Sequence, residues 1–370
     1  MSPVEPGDPL PAAGMPGSLL AGAFVKTLSA TTINAALASP ESRVKPGSLA
    51  PRYDVASYRL TYLTTDKYGV TTSASGLVSV PVKPAGAVSP VLSYQHATTF
   101  QDANAPSNKV EPYEPPLVLA SLGYIVVSPD YVGFGASKGQ DHPYLVATPT
   151  ARAVIDMLRA AQAWRLQQRV TGNGQLFLAG YSEGGYATMA AHRAIQQEGG
   201  ALKTQLRAAV PGAGPYDVLK TLDEQVARVS DTSSALGALL NPGLLSRLPT
   251  SVRNEVRRLL LRQMVPEDGD VSYQTLFLDR YMADQRDLLA RDHSVHLGWA
   301  PEAPVYLFHG KLDQTVPYPV SESARDTLRA AGGRDVTLTD CTTPNYGHLD
   351  CVPEYFVFAV NRMARLARDL

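Results

Sequence analysis

The feature that most limits what this chain can fold into is a rhythm of short apolar runs separated by segments of helical period. "GQLFLAG" at 174–180 reads as a strand, "SEGGYATMAAHRAIQ" after it as a helix, and "LRAAVPGAG" from Leu206 as a strand again. Earlier in the chain, 90–94 and 123–131 are apolar strand runs, and "TPTARAVIDMLRAAQAW" from Thr148 carries a helical face in Val154, Met157, Leu158 and Ala161. Later, "PVYLFHG" at 304–310, "SESARDTLRAAG", "DVTLTDC" and "EYFVFAVNRMARLARDL" resume the same alternation. Strands joined through helices predict a mostly parallel sheet covered on both faces, an α/β fold. Two alternating β-branched segments, 56–64 and 73–82, flank a "DKYG" turn and predict an adjoining hairpin.

The rhythm breaks between about residues 216 and 299, where the segments look helical. In "SVRNEVRRLLLRQM" a stripe of Val252, Val256, Leu259 and Leu260 faces away from arginines, the pattern of a solvated helix rather than of a nucleic-acid reader. The simplest division is an N-terminal extension with short helices over 1–50, an α/β core over 51–215 and 300–370, and a helical insertion over 216–299. The chain's 370 residues are ample for this.

Composition narrows the function classes. Lys and Arg number 33 against 34 Asp and Glu, so no overall field favours a polyanion, and nucleic acid is not an expected partner. No apolar run reaches the roughly 18 residues of a membrane span. The start "MSPVEPGDPLPAAGMPG" lacks the basic and apolar regions of a signal peptide. The only cysteines, Cys341 and Cys351, are too few for a thiolate zinc site but could close a short disulfide loop worth roughly 3 kcal/mol, a free pair being the alternative. A bridge would imply an oxidising compartment, so a secreted or periplasmic mature chain is expected ahead of a cytoplasmic one.

Chemistry concentrates at "GYSEGG". Gly180 and Gly184 flank Ser182 at a strand-to-helix turn, where small neighbours permit the crowding that lifts one hydroxyl clear of the sheet. The helix that follows offers its dipole and unpaired N–H groups to a developing negative charge. A serine needs a base, and His348 in "TTPNYGHLDC" lies late in the chain, between the last strand and the last helix. His192 falls within the helix after the turn, His309 ends a strand, and His293 and His296 sit in the insertion. All four are expected as surface or packing residues. Asp313, in the loop after "VYLFHG", is placed to orient the imidazole, ahead of Asp340 and Asp350. An oxyanion would meet the N–H of Glu183 and one from "YQHATTF", with Ala97 first and Thr98 or His96 as alternatives. Glu183 itself reads as a helix-start residue.

With these residues placed, the chain resembles the α/β-hydrolases, and more narrowly the secretory lipase family of fungal lipase A type enzymes and bacterial relatives. The matching stretches are "GSLLAGAFVKTLSA", "YQHATT", "SPDYVGFGAS", "HPYL", "GYSEGG", "FHGKLDQTVP" and "YGHLDC", which extend over nearly all of the chain after residue 15. The resemblance implies an exported serine esterase or lipase with a helical cap over 216–299, with Gly180 and Gly184 in the nucleophile elbow and Ser182, Asp313 and His348 as the triad. Relatives usually carry glycine after the oxyanion-loop histidine, where this chain has Ala97, whose methyl group would narrow the acyl site.

In "PDYVGFGASKGQDHPYL", Asp130, Tyr131, His142 and Tyr144 either line the pocket or bond beneath it, ordered loop packing being the simpler reading. Tyr181 is a further candidate for the pocket wall. The expected reaction is cleavage of short- to medium-chain acyl or aryl esters through an acyl-enzyme, with no metal and no organic cofactor. The expected partner is a small-molecule or lipid-like ester, met by a monomer, with contact at a lipid interface but no membrane span. Triacylglycerol or polyester hydrolysis, amide or peptide hydrolysis, and non-catalytic binding on the same fold are the alternatives. An acidic cap pocket would mark the amidase, and a separated triad or absent pocket the binding protein.

Overall fold

The structure, a computed structural model, describes residues 7–42, 49–232, 242–264 and 266–370. Nine strands form one sheet in the order β1-β2-β3-β5-β4-β6-β7-β8-β9. β1 (Leu19–Leu28), β2 (Val55–Thr65) and β3 (Thr71–Pro81) form an antiparallel ribbon, and β3 also runs antiparallel to β5 (Ile125–Pro129). From β5 through β4 (Ser89–Gln95), β6 (Gly172–Tyr181), β7 (Leu206–Gly212), β8 (Val305–His309) and β9 (Val336–Asp340), every pairing is parallel. This is the α/β-hydrolase architecture expected from the sequence.

The parallel strands read as near-continuous apolar runs because both faces of the sheet are covered. On one face α1 (Ala30–Ala36), α2 (Pro115–Ser121) and the C-terminal helix Val352–Ala364 bury Ile33, Leu117, Tyr355 and Met363 against Leu92, Phe177, Val210 and Phe308. On the other, α3 (Ala147–Gln168) and α4 (Glu183–Glu198) pack Val154, Met157, Trp164, Ala187 and Ile195 over Val78, Val127 and Leu178. After the short α5 (Gly200–Gln205), β7 leads into the helical segment. This segment contains α6 (Val218–Thr232) and the helices Pro242–Leu245, Thr250–Met264, Leu276–Met282 and Arg286–Asp292, after which the chain returns to the sheet at β8. Of the predicted stripe, Val256 is buried and Val252 exposed; the side chains of Leu259 and Leu260 lie outside the described residues.

One local expectation is corrected, and one helix is found that the sequence did not announce. Short helices were expected across residues 1–50, but among the described residues there only Ala30–Ala36 is α-helical, and Leu19–Leu28 is the edge strand of the sheet. Most of β1 is exposed, with Phe24 at 60% and Leu20 at 52%, so no buried face imposes an alternating pattern. Its backbone pairing to β2 outweighs what its own sequence suggests. The loop after β4 contains α2, whose seven residues are all buried. A helix that is apolar all round has no period to read, and here the first-turn prolines mark its start.

Candidate active site

Ser182 is the single residue between β6 and α4, with φ 59° and ψ −123°. A non-glycine residue in that region costs about 1–3 kcal/mol and persists only where its surroundings enforce it. The enforcement is visible: Ser182 N–H donates to Gly212 O at 2.8 Å, and Tyr186 N–H donates to Ser182 O at 3.1 Å. The flanking glycines are required by space. A Cβ on Gly180 would lie 2.4 Å from Gly184 O, and one on Gly184 would lie 2.0 Å from Gln95 O. The missing side chain at 184 lets the end of β4 press against the elbow, which brings the loop after Gln95 to Ser182.

His348 bridges serine and aspartate. Its Nε2 lies 2.8 Å from Ser182 Oγ and its Nδ1 lies 2.6 Å from Asp313 Oδ2. Since Asp313 can only accept, the ring holds its proton on Nδ1 and presents the Nε2 lone pair to the serine hydroxyl. Asp313 Oδ1 accepts from the backbone N–H groups of Thr315 and Val316 at 2.8 and 2.9 Å. Burial alone would push the Asp313 carboxyl up, but the hydrogen bonds from His309 and His348 outweigh it and hold the group well below the usual carboxylate range. Cys341 and Cys351 are joined as a disulfide, which closes the loop carrying His348.

Sequence reasoning assigned His309 to packing, yet its Nε2 lies 3.1 Å from Asp313 Oδ2 and 2.9 Å from Val316 O, while its Nδ1 faces Ser321 Oγ at 2.6 Å. Two acceptors at Nε2 place the proton there and leave Nδ1 to accept from Ser321. Its position at the end of β8, four residues before Asp313, was the available signal. Tyr181 closes β6, lines the cavity as expected, and donates from its hydroxyl to His348 O at 2.7 Å. Asp340, the weighed alternative acid, is bound by Lys311 and by the Tyr318 hydroxyl. His293 and His296 pack in the helical segment, their Nδ1 atoms facing Leu145 O and Tyr216 O. His192 is fully buried, with no hydrogen-bond partner at either nitrogen among the described residues.

A cavity of about 1000 Å³ opens above Ser182. Its wall includes His96, Ala97 and Thr98 from the loop after β4, with Ser182 and His348, and Leu145, Leu222, Phe277 and Met282 on the apolar side. Glu183 opens α4, so its N–H has no carbonyl one turn earlier to bond and is available beside Ser182. Tyr144 lines the cavity, with its hydroxyl 3.3 Å from Thr98 Oγ1. Tyr131 does not line it. In a left-handed conformation after β5 (φ 66°), it is buried beneath the loop, stacks on His96 and donates to His96 O at 3.2 Å. His142 also lies beneath the pocket, fully buried, with Nε2 2.6 Å from Glu183 Oε1. The carboxylate read as a helix-start group is therefore half of a buried pair, a contact between residues 41 apart that no local motif announces.

Among the described residues, no helix is long and apolar enough to cross a membrane, and no cluster of three or more His, Cys, Asp or Glu side chains could hold a metal ion. The chain is similar in fold and sequence to several known proteins. A crystal structure from Legionella pneumophila subsp. pneumophila superposes with TM-score 0.72 and 25% identity over 94% of this chain and 97% of that chain. The rice cell wall degrading esterase LipA from Xanthomonas oryzae, in a ligand-bound form, gives TM-score 0.69 and 26% identity over 96% and 100%. Lipase A of Moesziomyces aphidis is 26% identical over 167 residues, 40% of this chain, and the match spans only 33% of that enzyme's length. The profile of the secretory lipase family matches residues 115–356, which run from α2 to the C-terminal helix and include Ser182, Asp313 and His348. The chain therefore belongs to the secretory lipase family.

Proposed function

We propose that the protein is a serine carboxylic ester hydrolase that cleaves short- to medium-chain acyl or aryl esters through an acyl-enzyme. The observation that carries this reading is the continuous hydrogen-bonded series Ser182, His348, Asp313 at the wall of a largely apolar cavity. His348 Nε2 takes the hydroxyl proton as Ser182 Oγ attacks the ester carbonyl, and Asp313 stabilises the imidazolium that results. The N–H groups of Glu183 and Ala97 hold the oxyanion, and the imidazolium returns its proton to the departing alcohol. Water, activated by the same Nε2, then releases the acid.

Residues 216–299 act as a cap on a core formed by 51–215 and 300–370, to which the sheet edge at β1 also belongs. The cap contributes the apolar wall at Leu222, Phe277 and Met282, which suits an acyl or aryl group. Among the described residues the carboxylates lining the cavity outside the triad are Glu41 and Glu114, neither of them in the cap, so the acidic cap pocket that would mark an amidase is not seen there. The secretory family and the disulfide support an exported protein, and we take it to act as a monomer on a small or lipid-like ester. The name of the Xanthomonas relative supports esters as the substrate class.

The test is turnover of p-nitrophenyl esters from acetate to palmitate by wild type and Ser182→Ala. Expected are an optimum at short or medium chains and a loss of about 10⁴-fold or more in the variant. Retained turnover in Ser182→Ala refutes the mechanism, and an optimum at palmitate replaces esterase by lipase.

A further inference from the structure

The side chains of His142 and Glu183 form a pair behind Ser182 and take no part in the reaction described above. Both side chains are buried, at 1% and 2% exposure. His142 Nδ1 faces Val132 O at 2.8 Å, so that nitrogen carries a proton. His142 Nε2 faces Glu183 Oε1 at 2.6 Å, a separation that two bare acceptors would not hold, so a second proton lies between them. As imidazolium with carboxylate or as imidazole with carboxylic acid, the pair has no net charge.

The surroundings leave this proton no substitute. Glu183 Oε2 has no hydrogen-bond partner, and His142 is the sole partner of either Glu183 oxygen among the described residues. Tyr131, Phe134, Tyr144 and Tyr273 enclose the imidazole with ring centroids 5.2 to 6.0 Å away. The hydroxyls of the three tyrosines are engaged elsewhere, Tyr131 on His96 O, Tyr273 on Thr99 O and Tyr144 beside Thr98 Oγ1. The His142 backbone pairs with the helical segment, donating to Ser272 O at 2.7 Å and accepting from Gln274 N–H at 2.9 Å. The residue is thus fixed from the core and from the cap.

We propose that His142 is a positioning residue for ester cleavage. By supplying the proton of the pair, it keeps the Glu183 side chain in place and uncharged overall, so that the Glu183 N–H stabilises an oxyanion unopposed by a carboxylate on the same residue. The inference rests on the ester-hydrolase reading. Without the proton, a negative charge next to the oxyanion would oppose the transition state more than the ground state, and the loss would fall on kcat. Glutamine can place an N–H where His142 Nε2 stands but cannot carry the extra proton, which makes His142→Gln the discriminating change.

Steady-state kinetics on p-nitrophenyl butyrate, with thermal melts as the folding control, test this in wild type, His142→Gln, Glu183→Gln and the double variant. In the Glu183 background, His142→Gln is expected to lower kcat by about tenfold or more, with KM within about twofold, a fraction of the effect of deleting an oxyanion donor. In the Glu183→Gln background the same change should cost less than about threefold, because no carboxylate remains to be neutralised. A His142→Gln enzyme with wild-type kcat, or a loss of equal size in both backgrounds, overturns the proposal. Should His142→Gln fail to fold, Glu183→Asp, which keeps the charge but falls short of His142, is to be compared with Glu183→Gln. A kcat at least about tenfold lower for the aspartate variant supports the proposal, and equal values overturn it. Turnover that survives Ser182→Ala would remove the ester-hydrolase reading itself. Turnover that needs Ser182 but ignores His142 would remove this inference alone.

Discussion

Acid should destabilise this protein through one residue that catalysis does not use. His192 lies on α4 with its ring fully buried, no hydrogen-bond partner at either nitrogen among the described residues, and the Trp299 indole edge-on at 4.9 Å. Burial pushes its imidazolium down from 6.5 to about 3. The sign follows from proton counting: between these two values the unfolded chain binds a proton that the folded chain refuses, so stability falls as pH falls. The stability is whole above about pH 7.5 and declines through the ordinary histidine value. Near pH 5 the loss is about 2 kcal/mol, and it levels off at about 5 kcal/mol once pH drops below the buried value. The figure near pH 5 is insensitive to the buried value, since the folded ring is neutral there at 3 or at 4.

His192→Leu has nearly the same volume and no proton to bind. Urea unfolding followed by tryptophan fluorescence suits the question, because Trp299 is one of two tryptophans and touches the site. Between about pH 8 and about pH 5, wild type should lose about 2 kcal/mol more than the variant. His293 and His296, also lowered by burial, contribute equally to both proteins and cancel in the difference. Equal losses in the two proteins would refute the argument.

Two further outcomes are expected. His309→Leu removes one of the two imidazoles on Asp313 Oδ2, and a hydrogen bond to a charged group is worth about 1.5–3 kcal/mol, so kcat on a p-nitrophenyl ester should fall about tenfold or more at unchanged KM; a kcat within twofold of wild type would show that Asp313 is held without it. Replacing Cys341 and Cys351 together by alanine opens a loop of sequence separation 10 and should cost about 3 kcal/mol, which for a chain of 370 residues corresponds to a fall in Tm of about 4 °C. Calorimetry showing no change would mean that the loop is already constrained in the unfolded chain.

Legibility in the sequence followed the range over which each constraint acts. Ser182 could be read because the elbow's requirements are local, two small neighbours at a strand-to-helix turn. Asp313 and His348 could be read because chain order in a parallel sheet puts strand-end loops on one side. The central strands were legible because burial on both faces leaves uninterrupted apolar runs. β1 was not, since an exposed edge imposes no pattern, and α2 was not, since complete burial erases helical period. The partners of the triad were hidden for a different reason. His309 and Tyr181 act through hydrogen bonds that depend on how strand ends converge, and His142 meets Glu183 only after α3, β6 and the cap are in place. A buried glutamate one residue after the nucleophile was visible as a residue type, but its counter-group was not.

The helical segment holds the site at two separate places, which bears on how substrate and chemistry are connected. From α6, Gln225 donates to Gln314 O and Thr315 O, and Arg228 donates to Asp313 O at 3.0 Å, so the helix that lines the cavity also grips the loop of the acid. Further along the segment, Asp270 N–H donates to Phe100 O, the Tyr273 hydroxyl donates to Thr99 O, and residues 272–274 pair with His142. These contacts reach the loop after β4 and His142, behind Ser182. A change that displaces the segment therefore moves Asp313 and the proposed oxyanion donors together with the proposed acyl wall. Substitutions there should alter kcat and chain-length preference jointly, unlike side-chain changes confined to the cavity surface, which act on chain length alone.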